Sequence, residues 1–446
     1  MRTRPLVTTV LILVAIVGLT AVASVERVRA ATPESAEPGL TGVFEPALPA
    51  EAAERQAGIV DLASGNGGAV FGALKGLGGK GYFGVVALAG GEMPITSFGD
   101  EGYTRLFHLP FSGFNVEPQA EAVAVQPDGK VVVAGYSQDG IRRPDSFAAL
   151  LARYSPDGSL DQSFGTAGIV GRRPEAPGGT QLHDLAVTPD GTILAAGGRN
   201  EDERGVGAPA GVLLAYRSDG SLDTAFGKGG RVIVKGRAAS YSTLRAVEVL
   251  ASGKVLLLGY LNQRVLLVQL DPDGSPDRSF GGGDGKVTLD VHANFCCEPD
   301  ALALAPRGRI IVAAVGGNFR RPRTFLARYL PSGRLDRSFG KDGVEAPFLR
   351  RRLGVLLGVA VGPEGKIVTV GRTEAKDAKH RGSFALFRSL PDGRPDRGFG
   401  REGLYSLKLG PEGIAGAALT LPSGILIGGS FIQGPTTSLL LAKLGQ

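Results

Sequence analysis

Only two cysteines stand among the 446 residues, Cys296 and Cys297, adjacent in sequence. A fold held together by several disulfides is thereby excluded. Adjacent cysteines do not easily share a tetrahedral zinc site even with His292 and Glu298 close by, because structural zinc prefers Cys-x-x-Cys spacing. A vicinal disulfide or simple burial is the expectation there. Basic runs are equally scarce, none exceeding Arg350-Arg351-Arg352. Of the formal net charge of +6, Arg2, Arg4, Arg27 and Arg29 against Glu26 supply +3 at the N-terminus. The remainder is not the basic surface that nucleic acid requires, so no nucleic-acid partner is expected. No catalytic motif rises above background. The single Asp-x-Asp-Gly sequence, Asp271 to Gly274, lacks the downstream ligands of a calcium loop and reads as a turn.

What is present is a repeat. Leu160-Asp161-Gln162-Ser163-Phe164-Gly165 returns as segments ending Phe226-Gly227, Phe280-Gly281, Phe339-Gly340 and Phe399-Gly400, with a worn copy ending Phe98-Gly99. The six phenylalanines are 66, 62, 54, 59 and 60 residues apart. That period is longer than most helical solenoid repeats and long enough for about four short strands with turns.

One repeat reads as one sheet. Ala122 to Val125, Pro127-Asp128-Gly129 and Val131 to Gly135 make a hairpin, because proline presets φ and glycine accepts positive φ. Phe147 to Tyr154 supplies a third strand, Pro156-Asp157-Gly158 another turn, and Gly168 to Val170 a fourth. The first strands are almost continuously apolar, as in Leu302-Ala303-Leu304, so both faces must be covered. Large residues (Val123, Leu185, Val247) lie on one face and alanines (Ala122, Ala246, Ala301) on the other, which permits close stacking of sheets. The recurrent aspartate is read as an acceptor for turn amides and the phenylalanine as a wedge between sheets.

Units begin near residues 58, 118, 181, 241, 299, 354 and 413. The expected fold is all-β, a seven-bladed β-propeller with four antiparallel strands per blade. The last unit stops without a Phe-Gly segment or outer strand, while Gly39-Leu40-Thr41-Gly42-Val43-Phe44 carries the spacing of an outer strand at the other end. Gly42 to Ala47 is therefore expected to complete the last blade and close the ring. Residues 39–446 form this single domain. Residues 1–30 read as an export signal, Arg2 and Arg4 preceding the apolar run Leu6 to Ala23, with an uncleaved membrane anchor as the alternative. Residues 31–38 form a short tether.

The combination of Gln126 to Gly135, Leu151 to Gly165 and a period near 60 resembles the delta-60 repeat of exported bacterial proteins. The resemblance covers about Val60 to Leu444. It implies the fold and export, and no general enzymatic activity.

Loops between second and third strands, such as Tyr136 to Ser146 and Arg372 to Ser383, vary in length and charge and share one face with the links between units. Binding is expected on that face. Aligning units on the hairpin glycine, the residues eight positions earlier read Val60, Glu121, His183, Arg245, Asp300, Leu357 and Gly416. Ionisable groups at the entrance of four successive inner strands nominate a rim. Glu121, His183, Asp184 and Asp300 have the chemistry of an acid–base or metal site, and Arg245 that of an anion holder. No cofactor is called for; a divalent metal is the one such ligands would accept. The function expected is an extracytoplasmic, secreted or envelope-associated binding or scaffold module, monomeric, engaging a protein or glycan. The alternative is a hydrolase or lyase with a metal-assisted site at the channel mouth.

Overall fold

A computed structural model describes residues 40–76, 81–106, 116–139, 143–171, 178–199, 209–236, 240–262, 264–289, 298–318, 321–345, 353–373, 382–407, 412–433 and 436–445. The proposed leader, the tether, His292, Cys296 and Cys297 lie outside these residues. The described chain is all-β. Its only helical pieces are the short helix Ala50–Glu54 and two single 3-10 turns. Among the described residues no helix is long and apolar enough to cross a membrane.

The second unit shows how the local sequence builds a sheet. Val116–Val125 runs into Val131–Asp139 through a turn closed by Gly129 N–H to Gln126 O (2.9 Å), with Gly129 at φ 84°. Arg143–Tyr154 and Ile169–Gly171 add the third and fourth strands, each antiparallel to its neighbour. The described strands form six sheets. A two-residue parallel contact between Gly178–Gly179 and Ser146–Phe147 joins two units into one sheet of eight.

Apolar side chains are buried between sheets. Each core cluster draws on two neighbours, as when Phe71 and Phe98 of the first sheet meet Val133 and Tyr154 of the second. The repeated phenylalanines behave as the sequence suggests: Phe98, Phe164, Phe226, Phe280, Phe339 and Phe399 are all buried, one to a cluster. The seventh cluster, where Ile59 and Val70 of the first sheet meet Leu426 and Leu441 of the last, has no such phenylalanine. Phe44 and Leu48 of the N-terminal segment pack there instead.

Leu40–Phe44 occupies the outer position of the last sheet, antiparallel to Thr436–Leu444, with Val43 opposite Ala442. The strand lies slightly earlier than expected: it stops at Phe44, and Pro46 and Pro49 follow. Proline has no N–H for a ladder.

The repeated aspartate does more than cap a turn. One oxygen of Asp161 accepts from the Ser163 N–H (3.0 Å) and hydroxyl (2.7 Å), as expected, but the other pairs with Arg153 Nε (2.8 Å). The Arg153 guanidinium lies over the Phe164 ring, 4.6 Å from its centroid, and reaches Ser218 O of the next unit. Arg328, Asp336 and Phe339 repeat the arrangement, with Pro391 O as the carbonyl reached. The Phe-Gly glycine adds a second link. Gly165 N–H donates to Asp219 O (2.8 Å), and Gly340 N–H to Asp392 O (2.9 Å), each in the following unit's turn.

Candidate functional site at the inner strands

Every unit opens with an inner strand: Ala57–Ser64, Val116–Val125, Gly178–Val187, Ser242–Val249, Glu298–Ala305, Leu353–Val361 and Glu412–Leu421. Each packs against the next, and Glu412–Leu421 packs against Ala57–Ser64. Their unpaired edges border a cavity of about 530 Å³.

Each inner strand breaks register with its partner at the column nominated from sequence, and Leu353–Val361 does so a second time, at Gly354. The ladder skips Val60, Glu121, His183, Arg245, Asp300, Leu357 and Gly416. A bulge leaves one residue without an opposite number and re-aims its side chain. Glu121, His183 and Arg245 thereby line the cavity together, with Val60, Leu357 and Gly416. The Asp300 side chain lies outside the described residues.

The structure then separates the nominated acids by role. Glu121 is ion-paired with Lys75, which comes from the second strand of the first sheet. Lys75 Nζ also stands 6.0 Å from the centre of the Tyr136 ring, which packs edge-on to Phe147. Asp184 faces backbone donors, accepting from Leu185 N–H (2.8 Å) and, across to the next inner strand, Val247 N–H (2.7 Å). Its carboxylate is thus committed to joining two strands. Among the described residues no group of three or more His, Cys, Asp or Glu side chains is placed to hold a metal ion.

Two acids escaped the sequence reading. Asp61 mirrors Asp184: its carboxylate accepts from Val123 N–H of the next inner strand (2.9 Å). Glu248 lines the same cavity. A signal for both was present. One residue past the bulge the units read Asp61, Ala122, Asp184, Ala246, Ala301, Gly358 and Ala417; three residues past it, Ala63, Ala124, Ala186, Glu248, Ala303, Ala360 and Leu419. A carboxylate interrupting a column of small apolar residues is a cost that packing alone does not explain.

Burial and mutual repulsion shape the ionisation of these groups. Burial pushes Asp61 up to about 6, against the pull of the Val123 and Leu62 amides. Asp184 is raised too, by burial and then by the charge of Asp61. Glu248 rises to about 7 for the same two reasons. His183 moves the other way, down to about 3, first through burial and then through Arg245 and Lys75. It is a neutral imidazole at physiological pH. Among the described residues His183 has no hydrogen-bond partner and Arg245 no carboxylate partner.

No curated protein matches the chain in sequence. Solved structures do resemble it in shape. The polysaccharide lyase Uly1 is 10% identical with a TM-score of 0.50, over 91% of this chain and 99% of that one. A protein of unknown function from Dyadobacter fermentans DSM 18053 is 11% identical (TM-score 0.43; 87% and 95% covered). Drosophila Plexin A in complex with Semaphorin 1b is 10% identical (TM-score 0.44; 92% and 87% covered). Similarity at this level concerns fold alone. Residues 126–164, 188–226, 250–280 and 308–339 match a family model described as a domain of unknown function (DUF5122) beta-propeller, each match ending at a wedge phenylalanine, so these repeats are those of a β-propeller.

Proposed function

We propose that this chain is an exported binding module: a closed seven-bladed propeller with delta-60 repeats that takes a ligand at the channel mouth on its variable-loop face. The count is supported by the eight-stranded sheet taken as two blades, and the closure by the pairing of Leu40–Phe44 with the last sheet. The partner is a protein or glycan at the cell envelope, bound by a monomer. The observation that carries the reading is the cavity of about 530 Å³ into which His183 and Arg245 project without partners among the described residues. A guanidinium and an imidazole that face a cavity with no protein partner among the described residues are open to hydrogen-bond a ligand.

Binding is favoured over catalysis by the state of His183. General acid–base work calls for a group that titrates near the working pH, and an imidazole lowered to about 3 does not exchange its proton there. A hydrolase or lyase reading finds better proton carriers in Asp61 and Glu248, at about 6 and 7 in the same cavity. The test is a screen of envelope glycans and proteins against the parent, His183→Ala and Arg245→Ala. At least tenfold weaker binding by both variants, about 1.4 kcal/mol, is expected with the fold intact. Unchanged binding in both would move the function from the hub to the loops.

A further inference from the structure

The cavity is electrostatically two-sided, and that restricts what fits it. Lys75, His183 and Arg245 stand at its mouth, where Glu121 is already taken by Lys75. Asp61 and Asp184 lie one residue further along their strands and Glu248 three residues further along its own. At about 3.3 Å per residue those acids sit roughly 3 and 10 Å deeper. The Glu248 carboxylate has no hydrogen-bond partner among the described residues.

Each simple ligand class fails at one end. A compact multivalent anion such as sulfate would neutralise Arg245 but meet three acids beneath it. A metal cation would meet Arg245 and Lys75 at the entrance, and the described acids do not gather around one point. A neutral sugar would leave the guanidinium unpaired, the costly outcome for a half-buried charge. Resting on the binding reading above, we infer that the ligand is a carboxylate-bearing, hydroxyl-rich unit of the acidic-sugar class. Its carboxylate accepts from the planar fork of Arg245 and from the N–H of neutral His183, and its hydroxyls donate to Glu248 below. Guanidinium–carboxylate and hydroxyl–carboxylate hydrogen bonds are the strong, charge-assisted kind. The volume is in the range of sites that enclose small ligands, roughly 300–1,000 Å³.

Calorimetry on the exported chain tests this with glucuronate and galacturonate, their disaccharides, the matching neutral disaccharides, and inorganic sulfate. Saturable binding of at least one acidic sugar is expected, with its neutral counterpart at least tenfold weaker and sulfate undetected. A disaccharide outbinding its monosaccharide would mark a polysaccharide chain as the source. Arg245→Gln should weaken the acidic sugar at least tenfold and Arg245→Lys less, since lysine keeps the charge and loses the fork. Glu248→Gln should weaken it several-fold, with thermal melts confirming that each variant folds. Equal binding of acidic and neutral sugars, or no binding of any acidic sugar, overturns the inference. If a different ligand then proves sensitive to His183→Ala, the hub still binds and only the ligand class is wrong; if no ligand is sensitive to His183→Ala or Arg245→Ala, both readings fall.

Discussion

At the scale of residues, the repeat encodes a staple between sheets, and its strength depends on who pairs with the aspartate. Asp336 holds the buried Arg328 over Phe339 and also pairs with the partly exposed Arg309. Among the described residues Asp223 is ion-paired only with the exposed Arg217. The same motif position therefore carries different energies. Phe339→Ala should cost about 3–5 kcal/mol, the usual penalty for emptying a buried aromatic site. Asp336→Ala should cost about as much, roughly 3–5 kcal/mol, because two cations lose their partner. Asp223→Ala should cost only about 1 kcal/mol. Equilibrium denaturation of the three variants would reveal the ranking, and equal costs for the two aspartates would refute the staple. A turn-capping carboxylate was legible in the sequence, but its arginine was not, since Arg153 and Asp161 meet only where the chain folds back past the end of the third strand.

Acid should act on the same scale. His183 falls from 6.5 in the unfolded chain to about 3 in the folded one, so the folded state binds fewer protons between those values. Its contribution is fully present above pH 6.5 and is lost as pH falls toward 3. Asp336 adds to this at lower pH. Burial works to raise it, yet Ser338, Arg309 and Arg328 hold it at about 2, so its stabilisation disappears as pH falls below 3.8. Asp61 and Glu248 oppose both, since their raised values stabilise the folded chain at low pH and cease to as pH rises through about 6 and 7. A His183→Gln protein should thus lose less melting temperature than the parent between pH 6.5 and 4. Parallel melting curves for the two would exclude a buried neutral imidazole.

At the scale of elements, two turns with nearly the same sequence do different work. The inner hairpin turn is open: a Cβ added at Gly191 would meet nothing within 4 Å. The second turn is pressed against the preceding unit, where a Cβ at Gly333 would stand 2.8 Å from the Phe280 ring. Both glycines have positive φ, 88° and 81°. Gly191→Ala should cost about 1 kcal/mol for the conformation alone, and Gly333→Ala a further 1–3 kcal/mol for displacing the ring. Chemical denaturation midpoints would separate the two, and similar losses would show that the second turn is not a packing element. Pro189-Asp190-Gly191 and Pro331-Ser332-Gly333 spell out the two turns almost equally; contact with the preceding unit tells them apart. The inner-strand bulge was legible only as a column of mismatched residues, because a bulge has no composition of its own.

At the scale of the molecule, the seam between first and last sheets is the place where the repeat fails. It has no wedge phenylalanine, and Phe44, Leu48 and the hydrogen bond from Tyr103 Oη to Ala47 O (2.7 Å) stand in. Lys443 and Glu92 pair across it. Removing residues 31–48 should lower the melting temperature by at least several degrees, since it exposes the edge of Thr436–Leu444 and opens the seventh cluster. An unchanged melting curve would rule out closure through this strand.

The sequence by itself determined the features that are local and periodic: strands, hairpin turns, wedge phenylalanines, unit length, and the column of residues that the inner strands thrust out of register. Each follows from chemistry within a few neighbours, repeated until chance is excluded. Only the tertiary structure decided which of those residues could act together. Lys75 neutralises Glu121 from 46 residues away, and Asp61 and Asp184 spend their carboxylates on amides 62 and 63 residues further on. Those partners are chosen by how one sheet stacks on the next, and stacking is a matter of distance in space, on which a repeat read along the chain is silent.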